Sequence, residues 1–139
     1  PPMPHWSAGR VTLLGDACHA MLPFLAQGAA QAIEDGAALT ECLATIGEQD
    51  IPAALRLYEA LRLPRASRVQ AASKENKTRF HLPDGFPQRE RDAQIRGAGT
   101  DWFLEAMSWV YGHDAGATDI REAAQPPSFP SPPDTTSKS

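Results

Sequence analysis

Two short stretches in the first third of the sequence carry residues that could bind a ligand, one through a carboxylate and the other through a helix start. The dipeptide Gly15-Asp16 follows an apolar run at residues 11–14. It therefore predicts a tight turn with a carboxylate at the carboxyl end of a strand, where α/β proteins usually bind ligands. Gly28-Ala29-Ala30 opens a predicted helix, whose free N–H groups and positive dipole end favour a negatively charged guest. Because no lysine follows in the Gly-x-x-x-x-Gly-Lys spacing, a nucleotide phosphate loop of that type is excluded.

The region around these two stretches resembles a known cofactor-binding motif. Gly15-Asp16-Ala17-Cys18-His19 and the run MLPFLAQGAAQAIED at residues 21–35 resemble the second flavin-binding motif of the FAD-dependent aromatic hydroxylases. These are single-component flavoprotein monooxygenases, and the likeness is greatest to the salicylate hydroxylase type. Residues 58–70 and 109–114 resemble the carboxy-terminal helices of the family, so the resemblance covers about the first 115 residues. One departure is Ala20, because the family commonly has a proline after the motif histidine.

The resemblance implies a role for each part of the motif. Asp16 would accept hydrogen bonds from the ribityl hydroxyls of FAD, and Pro23 would lie beside the isoalloxazine ring and the substrate. Backbone amides at the start of the helix would face the pyrimidine edge of the flavin. The implied cofactor-binding residues are Gly15, Asp16, Gly28, Ala29 and Ala30. The implied activity is hydroxylation of an aromatic, salicylate-like substrate with O2, using NADH or NADPH as electron donor.

The sequence lacks the other cofactor-binding segment that the resemblance implies. The family opens with a Gly-x-Gly-x-x-Gly strand–turn–helix that binds the FAD pyrophosphate, and no such segment occurs here. We therefore expect the carboxy-terminal part of a larger enzyme. A homodimer of that full-length enzyme is one of the assemblies that the resemblance allows. A lone strand of a parallel sheet would have no partner, so we expect the chain to fold and to bind FAD poorly by itself. The alternative is a catalytically inactive, truncated helical remnant or interaction module derived from such an enzyme.

The elements that would position the motif are mainly helical. We expect a mostly α fragment with one strand, from the carboxy-terminal part of an α/β, Rossmann-like FAD-binding monooxygenase fold. Residues 1–9 predict an extended segment with Trp6 in the core, and residues 17–27 predict a loop. Residues 28–46 predict a buried helix. Its apolar stripe consists of Ala30, Ile33, Ala37, Leu39 and Leu43.

Several polar residues are expected to be buried for structural reasons. Glu34 and Asp35 interrupt the buried helix, and buried carboxylates need partners. The candidate partners are Arg62, Arg65 and Arg68. His19 predicts a structural hydrogen bond near the turn, and Tyr58 predicts a core position.

The second half of the sequence predicts further helices. Asp50 is predicted to cap a helix at residues 52–63, which Pro64 breaks or kinks before a second segment at 67–80. Residues 88–96 predict a solvated, charged helix, and 102–111 an aromatic helix capped by Thr100 or Asp101. Its apolar residues predict core, a subunit interface or the mouth of a substrate pocket; they are Trp102, Phe103, Leu104, Met107 and Val110. We expect one domain at 1–115 and a disordered Pro- and Ser-rich tail at 116–139.

Composition excludes several other classes of function. The 139 residues are 42% hydrophobic with a formal charge of −4, so a nucleic-acid partner is not expected. No apolar run approaches the ~20 residues of a membrane span. Cys18 and Cys42 have no paired spacing, which indicates a reduced, cytoplasmic setting. The four histidines lack the spacing of metal ligands, so no metal is expected.

Overall fold

The computed structural model describes residues 2–98 and 100–115, with the backbone alone at Thr100 and Phe103. Within these residues, two short strands are followed by five helices, which confirms the expected mostly helical fragment. The strands are β1 (Ser7–Ala8) and β2 (Val11–Thr12), and the helices are α1 (Asp16–His19), α2 (Gly28–Ile46), α3 (Ile51–Phe80), α4 (Phe86–Gly97) and α5 (Thr100–Tyr111). Single 3-10 turns lie at Pro23–Leu25 and Glu48–Asp50. The tail predicted at 116–139 lies outside the described residues.

The strand near the motif has a partner within the chain. β1 and β2 pair antiparallel, with Ser7 opposite Thr12, and Gly9 turns between them at a φ of 58°. The expectation of a lone strand at 11–14, preceded by an extended segment only, is therefore corrected to a two-residue strand in a hairpin. The side chain of Glu59 holds this hairpin on α3, because one carboxylate oxygen accepts from the backbone nitrogens of Trp6 and Ser7 at 2.9 and 2.7 Å.

Helix α2 has the predicted bounds but buries a different face. It ends at Ile46 and is capped by Gly47, whose φ of 78° suits glycine at a helix end. Its buried residues are Gln31, Asp35, Ala38 and Cys42. Ile33 is 74% exposed and Ala37 is also exposed, so the predicted apolar stripe is wrong at these two positions. The reason is that α2 directs its polar side chains towards α3, where they accept hydrogen bonds from arginine side chains.

Helix α3 runs through the proline that was expected to break or kink it. It extends over 30 residues with Pro64 inside, and Asp50 caps it by accepting from the Ala53 nitrogen at 3.0 Å, as predicted. A proline inside a helix costs about 3 kcal/mol. Buried residues on both sides of Pro64, among them Arg62 and Ala66, pack the helix in place, and this tertiary packing offsets the local cost.

The core lies between α2, α3 and the hairpin. Its buried cluster consists of Trp6, Cys18, Ala38, Cys42, Ala54, Tyr58 and Ala66. The Trp6 ring lies 5.9 Å from that of Tyr58, whose hydroxyl donates to the Leu13 carbonyl at 3.2 Å. The core positions predicted for Trp6 and Tyr58 are thus confirmed.

The last two helices lie at the margin of this core. α4 has no buried residue among its twelve, which confirms a solvated helix. In α5, Val110 is buried, whereas Leu104 is 63% exposed, and the Phe103 side chain lies outside the described part. Among the described residues, no helix is long and apolar enough to span a bilayer.

Candidate functional site

The turn after β2 is pressed against the start of α2. Gly15 is buried, with φ 63° and ψ −139°, a conformation that only glycine adopts readily. A Cβ at this position would lie 3.2 Å from the Cβ of Ala32. The Gly15 nitrogen donates to Asp35 Oδ2 at 3.0 Å. Glycine is therefore required by the backbone conformation and by the close approach of the helix.

This turn brings Asp16 to the start of α2. A Cβ built on Gly28 would lie 3.8 Å from Asp16 Oδ1, so the carboxylate and the helix start share one edge of the molecule. Asp16 and Ala29 are exposed, and Gly28 and Ala30 are half-buried. Gln27 precedes the helix without a side-chain capping bond, which leaves the first N–H groups of α2 directed at that edge. A ligand with hydroxyl donors beside an electron-rich acceptor would match both groups.

The segment predicted as a loop at 17–27 is partly ordered as short helices. Asp16–His19 forms one turn of α-helix, and Pro23–Leu25 forms a 3-10 turn. The turn closes at Ala26, which has a φ of 52° and donates from its nitrogen to the Pro23 carbonyl at 3.0 Å. Leu25 points into the core and Pro23 is exposed, so the proline is presented on the surface.

Three side chains of α3 hold this segment by its carbonyl groups, and sequence reasoning missed them. Gln70 Nε2 donates to the carbonyl of residue 20 at 3.0 Å, and Asn76 Nδ2 to that of residue 24 at 3.3 Å. Between them, the buried Ser73 hydroxyl donates to the carbonyl of residue 22. The signal was available as polar residues spaced by three on one helix, but nothing in the sequence shows that the loop lies across them.

Behind the turn lies a buried hydrogen-bond network centred on Asp35. His19 Nε2 donates to Asp35 Oδ2 at 2.6 Å, because a carboxylate can only accept, and Arg62 Nε donates to Asp35 Oδ1 at 2.8 Å. Burial would raise the pKa of Asp35, but the bonds from His19, Arg62 and the Gly15 nitrogen outweigh it and hold the pKa below its usual value. The structural role predicted for His19 is confirmed.

The network continues through Glu34 to the end of α5. Arg65 binds Glu34 through Nε at 2.6 Å and Nη2 at 2.8 Å, and Arg62 Nη1 binds it at 2.6 Å. Burial opposes ionisation, yet the two arginines lower the pKa of Glu34. Arg65 also donates to the Trp109 carbonyl at 2.9 Å. Two of the three predicted partners are confirmed, and the guanidinium of the third, Arg68, lies 3.9 Å from the centre of the Trp109 ring.

One group of side chains within the network has metal-ligand types. Ligand atoms of Cys18, His19 and Asp35 lie within 4.8 Å of one another, all buried. Burial raises the pKa of the Cys18 thiol to about 11, and the Arg62 guanidinium already binds Asp35. A thiolate is therefore disfavoured and a cation is already present, so the arrangement fits a hydrogen-bond network better than a metal site.

Comparison with known proteins identifies the family. A sequence profile described as "FAD binding domain" matches residues 3–73. The chain belongs to this family of flavin-dependent aromatic monooxygenases. It is 47% identical over 116 residues to a 3-amino-4-hydroxybenzoate 2-monooxygenase of Streptomyces platensis, a match that spans 84% of this chain and 28% of the relative. It is 60% identical over 75 residues to a 6-hydroxynicotinate 3-monooxygenase of Bordetella bronchiseptica, which spans 54% of the chain and 20% of that relative.

A solved structure in the same family has the same fold. The chain aligns with a salicylate hydroxylase in complex with its substrate at a TM-score of 0.68 and 35% identity, over 91% of this chain and 30% of that one. This flavin monooxygenase segment thus spans less than a third of the length of each of these three proteins. The family as expected from the motif at residues 15–35 is confirmed, and FAD is the cofactor that the family binds.

Proposed function

We propose that residues 3–115 supply the carboxy-terminal part of the FAD site in a monooxygenase that hydroxylates an aromatic, salicylate-like substrate with O2 and NADH or NADPH. The observation that carries the proposal is the edge at which the Asp16 carboxylate lies against the uncapped start of α2. Its two kinds of group match two parts of FAD, because the carboxylate accepts hydrogen bonds and the helix start donates them.

Each residue at this edge has one task in the proposal. Asp16 accepts from ribityl hydroxyls through charge-assisted hydrogen bonds. The N–H groups at Gly28, Ala29 and Ala30 face the pyrimidine part of the ring, where the helix dipole stabilises negative charge. FAD, when bound, supplies the redox chemistry that takes electrons from NADH or NADPH and uses O2 to hydroxylate the ring.

The exposed Pro23 completes the proposed site. Its ring projects from a 3-10 turn that ends at Ala26 and is anchored by the buried Leu25. A rigid, apolar residue at this place would shape the substrate pocket and help to exclude water from the reacting atoms. The buried, unpaired thiols of Cys18 and Cys42 suit a reducing compartment, and we include the cytoplasm in the proposal on that ground.

A segment-exchange chimera tests this function. Residues 3–115 replace the corresponding part of the Streptomyces platensis monooxygenase, whose own substrate is 3-amino-4-hydroxybenzoate. We expect the purified chimera to retain FAD after desalting and to form hydroxylated product from that substrate, because the exchanged segment provides equivalent contacts.

The parent enzyme is the positive control, and thermal unfolding followed by circular dichroism shows whether the chimera is folded. A chimera that unfolds cooperatively yet retains no FAD would contradict the proposal. That result would instead favour the alternative, a folded module without cofactor function.

A further inference from the structure

We propose that Gln70, Ser73 and Asn76 form a carbonyl clamp that positions Pro23 over the proposed substrate pocket and thereby keeps O2 consumption coupled to hydroxylation. The carbonyl clamp is the set of these three α3 side chains and the three carbonyl groups that they bind, at residues 20, 22 and 24. The inference rests on the proposed function. The three residues are positioning residues, since they act through the loop.

The geometry restrains the backbone on both sides of Pro23. The carbonyl before it, at Leu22, accepts from the Ser73 hydroxyl, and the carbonyl after it, at Phe24, accepts from Asn76. Gln70 adds a third bond one turn earlier on α3, to the carbonyl of Ala20. The proline ring lies between two anchored peptide groups, so its position is determined by α3.

The loop depends on side chains for these bonds. It belongs to neither strand, and its backbone bond from Ala26 to Pro23 closes only the 3-10 turn. A further contact is made by the Phe24 ring, which lies edge-on to Phe80 at 6.2 Å and to His81 at 5.4 Å. Removal of one donor from α3 would leave a carbonyl without its partner. The loop would then move so that water can donate a hydrogen bond to that carbonyl.

The position of the loop matters for the fate of oxygen. In the coupled reaction, NAD(P)H, H⁺, O2 and the aromatic substrate give NAD(P)⁺, hydroxylated product and water. When the reacting centre is misplaced or wet, NAD(P)H, H⁺ and O2 give NAD(P)⁺ and hydrogen peroxide, and the substrate is released unchanged. A displaced Pro23 loop should therefore divert electrons to peroxide without removing FAD, because Asp16 and the start of α2 lie outside the clamp.

Turnover of the chimera measures this effect. Ser73→Ala removes the hydroxyl, and Gln70→Glu and Asn76→Asp retain the shape of the side chain but replace the donating amide with an acceptor. Ser67→Ala, on the same helix and outside the clamp, is the matched control. We expect retained FAD in all variants, KM for substrate close to that of the control, and in the clamp variants a kcat for hydroxylation lower by about tenfold, with the lost turnover recovered as peroxide.

Hydrogen exchange provides a readout that requires no activity. The Ala26 amide reports on the loop because it bonds to the Pro23 carbonyl. In the chimera we expect it to exchange about tenfold faster in Ser73→Ala than in Ser67→Ala, because loss of the clamp increases local opening. Gln70→Glu, at a half-buried site, repeats the test without disturbing the core.

The outcomes separate this inference from the function on which it rests. Retained FAD with coupling and exchange equal to those of Ser67→Ala would overturn the clamp alone. Absence of FAD from the unsubstituted, folded chimera would overturn the proposed function and the coupling role together. Increased peroxide with faster Ala26 exchange would support the clamp.

Discussion

Single residues set the shape of the proposed FAD edge, and Gly15 is the most constrained of them. Glycine adopts its φ and ψ without strain, whereas a residue with a Cβ does not. A Cβ at this position would also meet Ala32 on α2. Because Asp16 follows directly, any shift of Gly15 moves the carboxylate that is proposed to bind FAD. The sequence predicted a glycine turn here, but the approach of α2 is a tertiary feature.

We predict that Gly15→Ala destabilises the chain in two ways. The backbone conformation costs about 1–3 kcal/mol for a residue with a Cβ, and overpacking against Ala32 adds about 1–3 kcal/mol. Gly9→Ala is the matched control, since Gly9 also has a positive φ of 58° but a Cβ there would have nothing within 4 Å. Urea unfolding of both variants separates the two effects, and equal losses of stability would show that the contact with Ala32 is unimportant.

At the scale of elements, α2 and α3 associate through buried charge as well as through apolar contact. Arg62 lies at the centre, because it binds Glu34, Asp35 and the side-chain oxygen of Gln31. This explains why α2 faces the core with Gln31 and Asp35. Hydrophobic periodicity predicts the apolar side of a helix, and here it failed because the partners are charged.

We predict that Arg62→Met lowers the free energy of unfolding by about 3–5 kcal/mol, since it leaves the buried Asp35 carboxylate without its cation and removes one of the two arginines that bind Glu34. Arg56→Met on the exposed side of α3 is the control, and it should change stability by less than about 0.5 kcal/mol. Urea titration at pH 7 measures both. A loss in Arg62→Met no larger than in the control would contradict the role of the network.

The pH dependence of the free energy of unfolding tests whether the Glu34 and Asp35 carboxylates cause the loss of stability in Arg62→Met. Glu34 and Asp35 have lowered pKa values in the folded chain, so their contribution to stability is present above their usual pKa and is lost as pH falls through the folded value. Arg62→Met removes the part of that lowering that Arg62 causes, whereas the hydrogen bonds from Arg65 to Glu34 and from His19 to Asp35 remain. Its deficit relative to the unsubstituted chain should therefore shrink as pH is lowered from 7 towards 3.

The sequence predicted elements better than it predicted their contacts. The bounds of α2, the Asp50 cap and the arginine partners of Glu34 and Asp35 follow from local pattern and from the rule that buried charges are paired. Continuity of α3 through Pro64 could not be predicted, because tertiary packing of the residues on both sides of the proline offsets the local cost. The carbonyl clamp was equally hidden, since it depends on where the loop crosses α3.

At the scale of the whole molecule, the chain is a segment of a flavin monooxygenase domain with its own small core. It spans 28% of the Streptomyces platensis relative, and its exposed apolar residues include Val11, Ile33 and Phe86. Ile33 was predicted to be buried from hydrophobic spacing, but the face of α2 that packs on α3 carries Gln31 and Asp35 instead. The structure brings Asp16 and the start of α2 together at one edge of the molecule. The binding of FAD by these two groups is the proposal made above.

The most direct measurement is the affinity of the chimera for FAD with and without the Asp16 carboxylate. FAD is removed, and rebinding is followed by flavin fluorescence for the unsubstituted chimera, for Asp16→Ala and for the control Asp84→Ala, which alters an exposed aspartate in the α3–α4 connection. Loss of hydrogen bonds to a charged group costs about 1.5–3 kcal/mol, so the Kd of Asp16→Ala should rise by about tenfold or more. With FAD saturating, KM for 3-amino-4-hydroxybenzoate should stay unchanged. A Kd for Asp16→Ala equal to that of Asp84→Ala would contradict the account.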